Sequence, residues 1–151
     1  MSSKLIKALL LVTASVAAVV TLVRFNRATV PEGPVPVVWD QEVCSHCKMH
    51  VGDPRFAAQL QTTDGEVLNF DDPGCLLDYL RSHELSVHAL YFRNYEGDGW
   101  LSESEVGFVS AEESPMGYGI RAVPRETPGA EDIDWAKRQV VDRPHYLRGG
   151  S

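Results

Sequence analysis

Two cysteines and a methionine lie close together in the segment VCSHCKMH, at positions 44, 47 and 49. Thiolate and thioether sulfurs are soft ligands that favour Cu(I) and serve Mg²⁺, Ca²⁺ or Mn²⁺ poorly. If the segment is extended, the side chains of Cys47 and Met49 project from the same face, about 6–7 Å apart along the chain. Both sulfur atoms can then reach one metal ion, so the segment predicts half of a soft metal site.

A second methionine suited to such a site lies far along the chain. Met116 stands in the stretch Ser-Pro-Met-Gly-Tyr-Gly, where a methionine that only fills the core is unusual. Apart from the initiator, Met49 and Met116 are the two methionines of the chain. Met116 is therefore a candidate for the other half of the site. A site with two or three ligands and no enclosing cage suits a carrier that releases its metal.

Other roles for Cys44 and Cys47 stay open. In a chain bound for an oxidising compartment, a Cys-x-x-Cys pair forms a disulfide by default, although that leaves Cys75 unpaired and gives Met49 no role. The pair also suits a thiol–disulfide redox protein, although the flanking sequence lacks the buried strand and long helix of a thioredoxin-like motif. A haem attachment site is excluded because Lys48 stands where a histidine must follow the second cysteine.

A zinc-stabilised scaffold is a further alternative. Its ligands would come from Cys44, Cys47, Cys75 and either His46 or His50. Structural zinc usually needs two well-spaced ligand pairs, and the chain has no second Cys-x-x-Cys or His-x-x-x-His. In an extended segment both histidines project away from Cys47, and His50 is then at most a pH-sensitive neighbour of the site.

The elements that position these residues follow an α+β pattern. Residues 56–62 and 67–70 alternate as two arms of a hairpin around an Asp-Gly turn, and Asp72-Pro73 suits the start of a helix. A strand over 87–95 follows. Strands at 106–109 and 118–123 and a helix from about residue 131 repeat this order more faintly. The pattern predicts two small ββαβ-like units in one domain, preceded by a single N-terminal transmembrane helix.

Cys75 falls near the third position of the helix that Pro73 begins. The helix dipole lowers the pKa of a thiol at such a position. A ligand, an exchanging thiol and a small buried residue are all possible here, and burial under the helix is favoured.

The N-terminal segment indicates a membrane tether. Residues 8–23 are sixteen consecutive uncharged residues between Lys7 and Arg24. Because apolar residues continue to Val23, an uncleaved anchor over 1–27 is favoured over a cleavable signal peptide.

Prolines at 31, 34 and 36 indicate a semi-extended spacer over 28–42. The predicted metal-binding domain covers 43–141, and 142–151 is predicted to be a flexible tail.

The charge distribution argues against a nucleic-acid partner. The formal net charge is −7, but residues 1–30 carry four basic and no acidic residues, which leaves 10 basic against 21 acidic side chains, near −11, in the rest. A surface of this kind repels phosphate backbones. No nucleophile elbow, P-loop or dinucleotide fingerprint is present. Helix capping explains the Asp71-Asp72 pair, so a binding protein is expected rather than an enzyme.

Four sequence blocks, spread over residues from about 43 to 123, occur in one order. They are Cys44-x-x-Cys47-x-Met49, Arg55-Phe56-Ala57-Ala58-Gln59, Phe70-Asp71-Asp72-Pro73-Gly74-Cys75 and Pro115-Met116-Gly117-Tyr118-Gly119. Together they resemble the NosL-type copper-binding accessory proteins of nitrous oxide reductase assembly. Two features depart from that family: a helix anchor replaces the lipid anchor of many members, and proline-rich, charged sequence follows Val123.

The resemblance implies an extracytoplasmic, membrane-tethered Cu(I) chaperone that delivers copper to nitrous oxide reductase or its membrane-associated maturation machinery. The soluble domain would face the periplasm or cell exterior from the cytoplasmic membrane. Cys47 and Met49 are the first ligand candidates that it implies, Met116 is the third, and Cys44 is an optional partner. The implied fold of this NosL-like copper-binding domain, residues 43–141, is two ββαβ-like units, distantly like an organomercurial lyase.

Overall fold

The described part of the chain folds into a mixed α/β structure with one four-stranded and one two-stranded sheet. The computed structural model describes residues 12–19 and 29–141, and residues 12–19 are helical (α1). The further elements are β1 (Ala58–Thr62), β2 (Val67–Phe70), α2 (Pro73–Ser82), β3 (Val87–Arg93), β4 (Trp100–Ser102), β5 (Val106–Ser110), β6 (Ile120–Pro124) and α3 (Ile133–Val141).

The first sheet has the order β2-β1-β3-β4, and every neighbouring pair is antiparallel. Leu60 in the central strand β1 lies opposite Leu68 on one side and Leu90 on the other. Between β1 and β2 the chain turns at Gly65, whose φ of 91° is a left-handed conformation that glycine adopts without strain. The hairpin predicted around the Asp-Gly turn is therefore confirmed.

Helix α2 begins where β2 ends and packs against the sheet. Asp72 is its N-cap, with an oxygen that accepts a hydrogen bond from the backbone N–H of Gly74 at 2.8 Å, and Pro73 occupies the first turn. Both residues were predicted to begin this helix, and their roles are confirmed. The helix buries Leu76 and Leu77, so its first turn is fixed both by its cap and by the core.

The second sheet consists of β5 and β6 and is extended by a bridge between Phe108 and Glu131. Helix α3 follows this bridge and buries Ala136 and Val140. The ring of Phe108 meets that of Phe92 in β3 edge to face, with 5.1 Å between ring centroids. Since Phe92 belongs to the first sheet, the two sheets share one hydrophobic core.

The predicted α+β class is confirmed as a mixed α/β fold with two small sheets. Strand β4 was not predicted, and it pairs with β3 as the outer strand of the first sheet. Except for 12–19, the predicted anchor (1–27) and the predicted tail (142–151) lie outside the described residues. No helix in the described parts of the chain is long and apolar enough to cross a membrane.

Part of the predicted proline-rich spacer is hydrogen-bonded to the first sheet. The side chain of Gln59 accepts from the Val35 N–H at 2.8 Å and donates to the Val35 carbonyl at 3.0 Å. The side chain of Gln61 donates to the Gly33 carbonyl at 2.7 Å. Both glutamines are fully buried on β1. The two side-chain amides bind the backbone of residues 33–35 as a neighbouring strand would. These residues lead toward the cysteine segment.

Candidate metal centre

The segment VCSHCKMH forms a closed turn. Its two ends pair across an antiparallel bridge, the Cys44 N–H donates to the Met49 carbonyl at 2.8 Å, and the Lys48 N–H donates to the Cys44 carbonyl at 3.1 Å. Lys48 takes a left-handed φ of 64°, which reverses the chain direction. The assumption that Cys47 and Met49 share one face of an extended strand is therefore wrong. The turn instead brings Cys47 back toward Cys44.

The edge of the first sheet holds this turn in place. The Ser45 N–H donates to the carbonyl of Asn69 in β2 at 2.9 Å. The side-chain amide of Asn69 in turn contacts the carboxylate of Glu42 and accepts from Gln59 at 2.8 Å. The position of the cysteine turn is therefore set by polar contacts to strands β1 and β2, which lie far from it in sequence.

Helix α2 supplies the third cysteine. The Cys75 N–H donates to the Asp72 carbonyl at 2.9 Å, within the capped first turn. Cys75 is fully buried, so the burial favoured from sequence is confirmed. The backbone N–H of Asp71, just before the helix, reaches the sulfur of Cys44. The start of the helix and the cysteine turn are therefore in direct contact.

The sulfur atoms of Cys44, Cys47 and Cys75 all lie within 4.8 Å of one another. All three are free thiols; Cys44 and Cys75 are 0 % exposed and Cys47 is half-buried. Three thiolates bound to one ion at about 2.3 Å stand about 4 Å apart. The cluster therefore has the size to hold one metal ion after small shifts. Thiolate ligands suit Cu(I), Zn²⁺ and iron–sulfur centres alike, so this geometry does not select the metal.

The three thiols differ in acidity. The Cys75 thiol donates to the sulfur of Cys44, and backbone N–H groups of Asp71, Cys47 and His46 also donate to it; together they lower the pKa of Cys44 to about 5 although burial opposes the shift. Burial, with the negative charge of Cys44, raises the pKa of Cys47 to about 11. The pKa of Cys75 is raised because its proton is held by Cys44 and because it is buried. The hydrogen bonds within the cluster therefore favour negative charge on Cys44 over Cys47 and Cys75.

The loop between β5 and β6 brings Met116 to the same end of α2. One carboxylate oxygen of Asp72 accepts from the Met116 N–H at 3.1 Å, while the other accepts from Gly74. Met116 is half-buried and packs against the core that includes Cys44 and Cys75. Its backbone is therefore fixed at the start of the helix that carries Cys75.

Met49 takes a different position. Its side chain is 57 % exposed, while its backbone N–H donates to the sulfur of Cys47. The structure thus gathers Cys44, Cys47 and Cys75, holds Met116 by its backbone nearby, and leaves the thioether of Met49 at the surface. The ligand roles of the two methionines stay predictions.

Tyr118 closes the other side of the cysteine turn. Its hydroxyl donates to a carboxylate oxygen of Asp78 at 3.2 Å and lies 3.4 Å from the Nε2 atom of His46, which is itself 3.4 Å from that oxygen. The ring packs so closely on Gly74 that a Cβ there would lie 2.0 Å from it. The imidazole of His46 is therefore directed toward α2 and held there by side chains of both halves of the fold.

Cys75 was not among the copper ligands expected from sequence, where it was weighed as a zinc ligand and burial was favoured, although its sulfur is part of the cluster. A usable signal was present, since the chain has three cysteines and all three meet at this point. The Asp-Pro start of α2, directly after β2, also fixes where Cys75 must lie. What sequence did not supply was the closure of the cysteine turn onto that helix.

No protein-family model matches the chain, and comparisons with curated proteins and with solved structures give no match either. The candidate metal centre therefore stands on the geometry of three thiols, and the NosL resemblance stays a hypothesis.

Proposed function

We propose that this protein is a Cu(I) chaperone that works outside the cytoplasm on a membrane tether. The observation that carries the proposal is the convergence of three thiol sulfurs within 4.8 Å. Sulfur ligands of this kind favour Cu(I) among the common biological metals, together with zinc and iron–sulfur centres. In the proposed site, Cys44, Cys47 and Cys75 hold the ion, Met116 closes over it from the β5–β6 loop, and Met49 joins from the exposed side.

The graded exposure of the sulfur ligands supports a carrier that releases its cargo. Cys44 and Cys75 are fully buried, Cys47 is half-buried, and Met49 is 57 % exposed. A partner's ligands reach Met49 and Cys47 first, so the ion passes outward by stepwise ligand exchange. Such transfer makes and breaks metal–ligand bonds without turnover of a substrate, and the protein is therefore a binding protein and not an enzyme.

The sequence blocks support the acceptor and the location. A family resemblance over residues 43–123 points to nitrous oxide reductase or its membrane-associated maturation machinery as the receiver of copper. The element order β1-β2-α2-β3 agrees with the first ββαβ-like unit of that family, and β5, β6 and α3 agree with most of a second. The apolar N-terminal residues would tether the domain to the cytoplasmic membrane, with the thiols facing the periplasm or cell exterior.

A thiol–disulfide redox function accounts for the site less well. A redox-active pair attacks through an accessible thiol of low pKa. Here the lowered pKa belongs to the fully buried Cys44, while the more accessible Cys47 has a raised pKa. This distribution is the reverse of what attack on a partner's disulfide requires, and it suits a cluster that charges on binding metal.

The test is Cu(I) titration of the full-length protein in a neutral detergent, reduced and free of oxygen, against a competing Cu(I) chelator. We expect one Cu(I) per chain, with a large loss of affinity for Cys44→Ser and Cys47→Ser. Ser45→Ala, in the same turn but without sulfur, is the matched control and should bind as the wild type does. Met49→Leu measures the contribution of the exposed thioether.

Metal analysis separates the alternatives. A zinc-stabilised scaffold would contain Zn²⁺ after purification, unfold with chelators and refold with Zn²⁺ but not Cu(I). A redox protein would show a defined reduction potential that Met49→Leu leaves unchanged. If the protein gave either of these results and also failed to take Cu(I) from the competing chelator, the copper proposal would be excluded.

A further inference from the structure

The side chain of His46 connects the middle of the cysteine turn to helix α2. Its Nε2 atom lies 3.4 Å from a carboxylate oxygen of Asp78, and its ring meets that of Tyr79 edge to face, with 6.4 Å between ring centroids. The same Asp78 oxygen accepts from the Tyr118 hydroxyl at 3.2 Å. This meeting of His46, Asp78 and Tyr118, the His46 contact, joins the cysteine turn, helix α2 and the β5–β6 loop.

The two partners of His46 are themselves fixed in place. The other carboxylate oxygen of Asp78 accepts two hydrogen bonds from the Arg81 guanidinium, at 3.0 and 2.6 Å. Tyr118 is 8 % exposed, and its ring packs on Gly74, which lies four residues before Asp78 and therefore on the same face of α2. The side chain of His46 is 27 % exposed and that of Asp78 only 10 %. The helix and the loop therefore present a fixed surface, and the imidazole rests against it from outside.

The backbone of the turn beside His46 covers the thiol cluster. The backbone N–H groups of His46 and Cys47 donate to the sulfur of Cys44, so the peptide units on both sides of His46 lie against that sulfur. Cys44 and Cys75 are both fully buried. Movement of the turn away from helix α2 would withdraw these N–H groups and open the cluster to solvent. The side chain that holds the turn to the helix therefore also keeps the buried thiols covered.

We propose that the His46 contact closes the metal centre, and that its opening sets the rate at which the ion is released. This inference rests on the proposed Cu(I) transfer and concerns the control of that same site. His46, Asp78 and Tyr118 are positioning residues and not ligands. They act through the turn, which carries Cys44 and Cys47. Loss of one hydrogen-bonded contact of this kind changes a local opening equilibrium by about fivefold.

The first test measures thiol accessibility in the reduced, metal-free, full-length protein in neutral detergent. The protein is exposed to iodoacetamide, and the alkylation rate of each cysteine is read by peptide mass spectrometry. Tyr118→Phe removes only the hydroxyl of the contact, His46→Leu removes the imidazole, and His46→Gln keeps a nitrogen donor. Tyr91→Phe, on β3, removes a hydroxyl outside the contact. Val106→Ala weakens the buried core at the end of β5 that lies away from the β5–β6 loop.

We expect Tyr118→Phe and His46→Leu to speed alkylation of both Cys44 and Cys75 about fivefold or more. Tyr91→Phe should change neither rate by more than about twofold. His46→Gln should lie closer to the wild type than His46→Leu. Equal rates in the two His46 variants would show that no polar atom is needed there and would overturn the proposal.

The stability control distinguishes local opening from global unfolding. Val106→Ala should lower the urea midpoint and leave both alkylation rates unchanged, because local opening does not involve the far end of β5. If this variant sped alkylation in proportion to its lost stability, the thiols would be reached by global unfolding, and the proposal would be overturned. Equal rates in Tyr118→Phe and Tyr91→Phe would also overturn it. So would faster alkylation of Cys44 alone, which would report a change in the acidity of that thiol.

The second test follows Cu(I) itself. Each variant is loaded with Cu(I) without oxygen, and the rate of transfer to an excess of chelator is measured. Tyr118→Phe should transfer Cu(I) about fivefold faster than the wild type and still bind one ion per chain. An unchanged transfer rate with faster alkylation would mean that the ion leaves by another route and would overturn the proposal. Loss of the bound ion in His46→Gln, with normal alkylation, would identify His46 as a ligand and also overturn it.

The alkylation rates do not depend on copper, so the two proposals fail separately. If the protein binds Cu(I) and the variants change neither rate, the His46 contact has no such role and the copper proposal stands. If the variants speed alkylation as expected and the protein takes no Cu(I) from the chelator, the contact closes the thiol cluster and the copper proposal fails.

Discussion

The carboxylate of Asp72 accepts a hydrogen bond from the backbone N–H of Met116, 44 residues later in the chain, at 3.1 Å. The same side chain caps helix α2, whose first turn carries Cys75. One buried carboxylate therefore aligns the helix that brings a thiol with the loop that brings a thioether.

Removing this carboxylate should release both elements. We expect Asp72→Ala to lower the free energy of unfolding by about 1–3 kcal/mol, since it removes a helix cap and leaves a buried N–H unpaired. The matched control is Asp132→Ala, which removes the exposed cap that accepts from the Trp135 N–H and should cost about 1 kcal/mol. Hydrogen exchange at the Met116 amide should become faster in the first variant alone. Unchanged protection of that amide would contradict the link.

The Asp72 carboxylate also predicts a pH dependence. Burial raises the pKa of Asp72 from 3.8 to about 6, against hydrogen bonds that lower it. The folded state thus binds this proton more tightly than the unfolded state, and the resulting stability is full below about pH 4 and lost as the pH rises through about 6. The advantage of the wild type over Asp72→Ala in urea unfolding should therefore shrink by up to about 3 kcal/mol between pH 4 and pH 7. If the difference in unfolding free energy between the two proteins stayed constant from pH 4 to pH 7, the predicted contribution of the buried Asp72 carboxylate would be excluded.

Replacing Cys75 distinguishes a ligand from a buried core residue. Mutation of groups that only support metal ligands costs about 10–100-fold in affinity, so we expect Cys75→Ser to weaken Cu(I) binding by at least that much. Leu77→Ala, in the same helix, is the control because it destabilises the core by about 2–5 kcal/mol without removing a sulfur. Chelator competition and thermal unfolding are measured on both. If the two variants lost affinity only in proportion to lost stability, Cys75 would be structural.

Helix α2 and the ring of Tyr118 approach each other closely at Gly74. A Cβ at this position would lie 2.0 to 2.5 Å from three atoms of Tyr118, so Gly74→Ala must displace the ring or the helix. We expect a loss of about 1–3 kcal/mol in the free energy of unfolding. Gly97→Ala is the control, because its Cβ would meet only the end of the Asn94 side chain, at 3.0 Å. Equal midpoints of denaturant unfolding for the two variants would show that the contact is relaxed in solution.

Local sequence signals predicted the elements on either side of the site well. The Asp-Gly turn between β1 and β2 and the Asp-Pro start of α2 each depend on the backbone preferences of the residues present, and both are confirmed. These signals place Cys75 in the first turn of the helix that follows the hairpin. Strand β4 was missed because its three residues are too few to show an alternating pattern, although it pairs with β3 across a short connection.

The geometry of the cysteine turn could not be predicted in the same way. Lys48 takes a left-handed conformation without the glycine or asparagine that would have signalled it. The turn is stabilised by the Ser45 hydrogen bond to Asn69, a contact across 24 residues that periodicity does not reveal. The spacing of two residues predicted a pairing of Cys47 with Met49. In the folded chain the turn brings Cys47 to Cys44, and helix α2 brings Cys75 to both.

The contacts of Gln59 and Gln61 determine where this protein can be shortened. Both side chains are fully buried and hydrogen-bonded to the backbone of Val35 and Gly33. A fragment that begins at Trp39 would lose these three hydrogen bonds, each worth about 0.5–1.5 kcal/mol. A fragment that begins at residue 29 keeps them and should resist protease digestion better than the shorter one. The proline-rich stretch is thus a part of the folding unit, and it helps to hold the cysteine turn in position.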